Sequence, residues 1–200
     1  MGTAQAKAEV QRSTDLFEKC KRFTAAREAI ARGVYPYFQP IEESFDTEVV
    51  IQGERKIMVG SNNYLGLTHH PYVLERAQQA LYRYGTGCTG SRFLNGTLDL
   101  HIQLEEQLAA FMGKEACVLF STGYMTNQGV LQALASKGDF IFSDKDNHAC
   151  IVAGTQVSFG ETIRFKHNDT DHLRRLLETA HQKYPNAGKL IVSDGVFSMS

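Results

Sequence analysis

Tryptophan is absent from this 200-residue chain, and proline and cysteine occur only four times each. The cysteines stand far apart, at Cys20, Cys88, Cys117 and Cys150, with no CxxC pair. That spacing excludes a zinc knuckle and a thioredoxin-like motif, and the expectation is reduced thiols in a cytoplasmic protein. An excess of either charge is also lacking, since 21 Lys and Arg face 22 Asp and Glu. Nucleic acid is excluded as a partner, because binding it needs a basic face to displace phosphate counterions. No apolar run approaches the roughly 20 residues that cross a bilayer. The first twenty residues have no apolar stretch of the secretory kind, and Ala6 stands where a myristoylation signal needs Ser or Thr.

What remains is an ordinary globular composition, 42% hydrophobic and 22% charged, long enough for one domain with a sizeable core. Residues 1–33 read as a helical arm, with Leu16, Cys20, Phe23 and Ile30 at roughly helical spacing and Gly33 as the stop. Residues 47–59 read as a hairpin turning at Gln52-Gly53-Glu54-Arg55. Pro71–Tyr84 and residues 98–112 read as amphipathic helices stopped by Gly85 and Gly113. Strands are then expected at Ala116–Phe120, Phe140–Phe142, Thr162–Phe165 and Leu190–Val192. Helices are expected between them, at Thr126–Ala135, 148–158 and 169–183. Strands alternating with helices predict an α/β fold, a mostly parallel sheet covered on both faces.

Four stretches carry candidate chemistry. Gly85-Thr86-Gly87-Cys88-Thr89-Gly90 satisfies G-x-G-x-x-G literally. A dinucleotide fingerprint needs a strand before it and a helix after it, and here a helix precedes it. Its glycines instead predict an irregular loop with positive φ and close backbone approach. In Ser121-Thr122-Gly123-Tyr124-Met125-Thr126-Asn127 a strand gives way to a helix, whose free N–H groups and dipole suit a phosphate. His148, in Asp144-Lys145-Asp146-Asn147-His148-Ala149, follows a strand at the end where doubly wound sheets bind ligands. Asp194-Gly195-Val196-Phe197-Ser198 again sets polar residues after an apolar strand. His69-His70 has no third ligand at metal spacing, so no metal site is expected. Neither a nucleophile elbow nor a P-loop is present.

These stretches occur in one order: SNNYLGL (61–67), GTGCTGSRFLNGT (85–97), STGYMTN (121–127), DKDNHA (144–149) and DGVFSMS (194–200). In that order they resemble the α-oxoamine synthases, fold-type I pyridoxal-phosphate enzymes that condense an amino acid with an acyl-CoA, releasing CO2 and CoA. The glycine loop and STGYM are most similar to the bacterial branch that condenses L-serine with palmitoyl-CoA to 3-ketodihydrosphingosine, the first step of sphingolipid synthesis.

The resemblance implies roles. Gly123 and Tyr124 would hold the cofactor phosphate. His148 would stack on the pyridine ring and meet the amino-acid carboxylate, Ser198 would meet the ring hydroxyl, and Asn63 would lie near the substrate. It also implies a homodimer with shared active sites and allows membrane contact through a lipid substrate or product, and the expected location stays cytoplasmic. The layout it implies is an N-terminal helical arm and linker over 1–46 and the first part of the cofactor-binding large domain over 47–200. The alternatives are a sister synthase, making 8-amino-7-oxononanoate or 2-amino-3-ketobutyrate, and a non-catalytic homologue. The family's cofactor-linking lysine and the aspartate at the pyridine nitrogen follow the DGVFSM motif. The expectation is therefore that these 200 residues by themselves are inactive and poorly stable.

Overall fold

A computed structural model describes residue 15 and residues 17–197. Two compact units divide between Gly87 and Cys88.

In the first unit the described part of the expected arm holds two short helices, α1 (Glu18–Arg22) and α2 (Ala25–Ala31), neither with a buried residue; residues 1–14 lie outside the described residues. The helical run breaks at Phe23, whose extended ψ of 90° ends α1. Leu16 lies outside the described residues. The expected hairpin is a three-stranded antiparallel meander of β1 (Glu43–Phe45), β2 (Glu48–Ile51) and β3 (Glu54–Ile57). Its second turn is tighter than the sequence implied. Gln52 and Gly53 alone make it, with φ of 56° and 73°, and Ile51 pairs directly with Glu54. Two successive positive φ values match the right-handed strand twist, which is why a two-residue loop suffices. Helix α3 (Pro71–Tyr84) forms where expected, with proline in its first turn and Gly85 at φ 79° ending it.

The second unit carries the parallel sheet. After α4 (Asp99–Met112) and α5 (Gly123–Leu134) come β4 (Phe140–Asp144), α6 (Ala149–Val157), β5 (Glu161–Phe165), α7 (Thr170–Lys183) and β6 (Lys189–Val192). The strand order is β5-β4-β6, all parallel. Every residue of β4 is buried. A run such as FIFSD suits a central strand because both of its faces meet helices. Ile141 packs with Leu131, Ala135, Cys150 and Ile151 from α5, α6 and their flanks. Phe140 and Phe142 point the other way, toward Phe165 and, on α7, Leu173, Leu176 and Ala180. Burying each large apolar side chain contributes about 1.5–3 kcal/mol. The two clusters therefore clamp helices onto both faces of one strand.

One expected strand does not form. Ala116–Phe120 has no ladder partner among the described residues, and Val118 is 72% exposed. Both edges of β4 are taken by β5 and β6, and the segment pairs with neither outer edge of that sheet. Instead, the Leu119 N–H donates to Glu105 Oε1 at 2.8 Å. The helix expected from Thr126 begins a turn earlier, at Gly123, because Thr122 caps it.

The topology creates the site. From β4 the chain moves to β5 on one side, then crosses to β6 on the other. The loops leaving β4 and β6 are thus neighbours at the carboxyl end of the sheet, the switch point where open α/β sheets bind ligands.

Candidate active site

Three segments of the second unit converge at this switch point. The first is the start of α5. Thr122 is extended and its Oγ1 accepts the Met125 N–H at 3.1 Å. The first intrahelical bond runs from Thr126 N–H to Thr122 O at 3.0 Å. The Gly123 and Tyr124 N–H groups precede it and have no acceptor among the described residues. Two free donors at the positive end of a 12-residue helix form an anion cradle. No Cβ added at Gly123 would meet another atom, so the approach is open.

The second segment is Asp144–His148. Asn147 is 7% exposed and ties the two loops together. Its Nδ2 donates to Ser143 Oγ at 3.0 Å and to Val192 O at 2.9 Å, and its Oδ1 accepts the Asp194 N–H at 3.0 Å. His148 follows as the N-cap of α6. Its Nδ1 accepts the Cys150 N–H at 3.1 Å and lies 2.8 Å from Cys150 Sγ. Its own N–H donates to Asp194 Oδ2 at 2.7 Å. The residue is exposed, so the ring is held from behind while remaining open to a ligand.

The third segment is Ser193–Phe197, where Asp194 makes the two contacts just described. Asn127 of α5 donates from Nδ2 to Cys150 Sγ at 3.1 Å, which links the first and second segments.

Of the expected site residues, Gly123, Tyr124 and His148 are thus brought to one end of one sheet. Ser198 lies outside the described residues. Asn63 belongs to the first unit, where its amide organises a turn. It donates to Thr68 Oγ1 at 2.9 Å and Asp46 Oδ1 at 3.1 Å, and accepts the Leu67 N–H at 3.0 Å. Asn147, Cys150, Asn127 and Asp194 carry contacts that no role was assigned in advance. The available signal was position: Cys150 is the second helical residue after a capping histidine, where its N–H has no intrahelical acceptor.

Asp144, Asp146 and His167 place three ligand-type atoms within 4.8 Å of one another. The Asp144 carboxylate is already engaged by the N–H groups of Asp146 (2.9 Å) and Asn168 (3.2 Å) and by His167 Nδ1 (3.1 Å). Burial pushes its pKa up, but these three bonds outweigh burial and hold it below the usual carboxylate value. The cluster fastens the turns that follow β4 and β5.

The glycine loop makes the close approach expected of it, but of Gly85, Gly87 and Gly90 only Gly85 has a positive φ. The N–H groups of Leu94, Asn95 and Gly96 all donate to Ser91 O, at 3.1, 3.1 and 2.8 Å. A Cβ at Gly96 would lie 1.8 Å from Gly90 O, and one at Gly90 would lie 1.7 Å from Asn95 Oδ1. Arg92 anchors the loop by forking onto Glu105 of α4, with Nη1–Oε1 2.6 Å and Nη2–Oε2 3.0 Å. That fork, with the Leu119 N–H, lowers the Glu105 carboxyl to about 2 from its ordinary 4.5. A carboxyl lowered in the folded state stabilises fully above its unfolded value and loses that contribution as pH falls through the folded one. The stability advantage of the native protein over Glu105→Gln should therefore be constant at neutral pH and shrink between about 4.5 and 2. Thermal unfolding across that window checks this, and a gap independent of pH would refute it.

This chain belongs to the family described as aminotransferase class I and II, which matches residues 54–200. It is 49% identical to a serine palmitoyltransferase of Sphingobacterium spiritivorum over 92% of this chain and 45% of that protein. An 8-amino-7-oxononanoate synthase of Geotalea daltonii is 42% identical over 84% of this chain and 42% of that protein. Among solved structures, a serine palmitoyltransferase from S. paucimobilis with a bound PLP–myriocin aldimine superposes with a TM-score of 0.87 at 37% identity. That match covers 92% of this chain and 46% of the other. The serine palmitoyltransferase of Sphingomonas wittichii gives 0.86 at 41% identity. The chain thus spans about half the length of the relatives it matches. Its fold is that of the large domain of type I pyridoxal-phosphate enzymes. Among the described residues, no helix is long and apolar enough to cross a membrane.

Proposed function

We propose that the protein binds pyridoxal phosphate and catalyses the decarboxylative condensation of L-serine with a long-chain acyl-CoA, as a cytoplasmic homodimer. The observation that carries this reading is the His148 ring, clamped at the switch point and linked through Cys150 and Asn127 to the open N-terminus of α5. The residues present fit the cofactor. A phosphate dianion matches the free Gly123 and Tyr124 N–H groups and the helix dipole. A flat pyridine ring matches an exposed imidazole whose rotation is restrained. When bound, the cofactor supplies an electron sink for the carbanion at the amino-acid Cα.

The roles of this chain's residues follow. Gly123 and Tyr124 would hold the cofactor phosphate through their backbone N–H groups. His148 would pack against the cofactor ring and orient the amino-acid carboxylate. By the resemblance, Ser198 would serve the ring hydroxyl and Asn63 the substrate. In the net reaction Cα bonds to the acyl carbon, CoA leaves as the thiol, and the carboxylate leaves as CO2.

Serine is favoured as the amino acid because three serine palmitoyltransferases match at 47–49% identity over 92% of the chain. The second reading, an 8-amino-7-oxononanoate synthase, rests on relatives at 42–44% identity over 84%. A visible absorbance titration of the intact gene product, loaded with pyridoxal phosphate, separates them. A cofactor band that shifts with L-serine in preference to L-alanine and glycine is expected. A preference for alanine or glycine would keep the family and change the substrate, and a protein that binds no cofactor would overturn the reading.

A further inference from the structure

Cys150 sits in the core cluster around Ile141, yet its sulfur also faces two polar groups. The directions of these hydrogen bonds follow from one fixed point. The Cys150 backbone N–H is always a donor, and it points at His148 Nδ1 from 3.1 Å. Nδ1 must therefore carry a lone pair rather than a proton, which puts the proton of the neutral imidazole on Nε2. Cys150 Sγ lies 2.8 Å from the same nitrogen. Facing a lone pair, it can bond only by donating its S–H. The sulfur is then left with lone pairs, and Asn127 Nδ2 supplies the matching N–H at 3.1 Å. Donation thus runs in one direction, from Asn127 to Cys150 to His148.

We propose that Cys150, oriented by Asn127, is a positioning residue that locks the His148 ring in its Nε2–H form and restrains its rotation. The open face of the imidazole then presents a neutral N–H donor, the group that suits a carboxylate without introducing a second charge. The Cys150 backbone N–H selects this tautomer, and the S–H adds a second donor to the same Nδ1 lone pair. The His148 N–H to Asp194 bond fixes the main chain, but the ring can still turn about its side-chain torsions unless something grips Nδ1. Two donors from one residue, N–H and S–H, supply that grip. The thiol is 6% exposed as a residue, so water competes little for its proton.

This inference rests on the role proposed for His148, but its first readout does not. The test compares Cys150→Ser, which keeps a donor, with Cys150→Val, which keeps comparable bulk without one. In the intact gene product, nitrogen NMR of labelled histidine reads the tautomer directly, with His148→Asn used to assign the signal. The native protein and Cys150→Ser should show Nδ1 unprotonated and Nε2 protonated. In Cys150→Val the Nδ1–H form should rise about fivefold, as expected for loss of one hydrogen bond. In turnover with L-serine and acyl-CoA, kcat should fall about tenfold in Cys150→Val with KM little changed, and Cys150→Ser should restore it. Equal tautomer populations in Ser and Val variants, or equal losses of kcat in both, would overturn the proposal. If the cofactor fails to bind while the tautomer still responds to Cys150→Val, the functional reading falls and the ring lock stands.

Discussion

Replacing His148 with asparagine should lower kcat by about a hundredfold or more while leaving the protein folded. The two parts of this expectation have separate causes. As N-cap of α6, His148 satisfies the Cys150 N–H with a side-chain acceptor. Asparagine is among the best N-cap residues, so the helix keeps its cap and stability should change by less than about 1 kcal/mol. What asparagine lacks is the ring. It cannot stack on a pyridine, and its amide cannot reproduce an Nε2–H donor at the same reach. The measurement pairs thermal unfolding with steady-state turnover of the cofactor-loaded protein. Near-native kcat in a folded His148→Asn would reduce His148 to a helix cap and remove the residue on which the proposed chemistry depends. Loss of stability and activity together would show that the cap role dominates.

The second large effect is expected in the glycine loop. Gly96→Ala should destabilise the protein by about 3 kcal/mol or more, because the added carbon falls 1.8 Å from a backbone carbonyl, Gly90 O. Backbone cannot step aside cheaply here. The same turn is held by three N–H donors converging on Ser91 O and by Thr97 Oγ1 donating to Arg92 O at 2.6 Å. Gly90→Ala meets the Asn95 side chain, whose rotation relieves the clash, so a smaller cost is expected. Gly87→Ala meets nothing within 4 Å and should be close to neutral. Thermal or denaturant unfolding of the three variants tests the order. A Gly96→Ala protein as stable as Gly87→Ala would mean that the loop does not hold this conformation. The same order bears on the glycine pattern itself. These residues follow a helix, α3, rather than the strand that a dinucleotide fingerprint requires. At Gly90 and Gly96 they allow the loop to approach itself.

Much of this architecture was legible from periodicity. The switch from helical spacing to short apolar runs located β4, β5, β6 and the helices between them. The physical reason is that a buried parallel strand and an amphipathic helix each demand their own spacing of apolar side chains. Ala116–Phe120 carries the same apolar signature and yet forms no strand among the described residues, since strand pairing depends on a partner distant in the chain that local spacing does not report. The early start of α5 was hidden too. Gly123 lowers helix propensity, but it occupies the first turn, where Thr122 supplies the cap and the cost is small.

The candidate site divides in the same way. Residue type and order marked the stretch 121–127 and His148, because an expected helix start and a histidine after a strand are local features, and the family resemblance singled out Gly123 and Tyr124 within that stretch. The partners that make His148 a directed group were not local. Asn127 is 23 residues from Cys150, and Asp194 is 46 from His148. Sequence therefore determined which elements form and which residue types end them, since propensity, capping and spacing act over a few residues. Tertiary structure decided which of those ends meet. The crossing from β5 to β6 brings Asp194 beside Asn147 and His148, and the packing of α5 on α6 brings Asn127 to Cys150. Hydrogen-bond direction at one imidazole nitrogen depends on all of these contacts together.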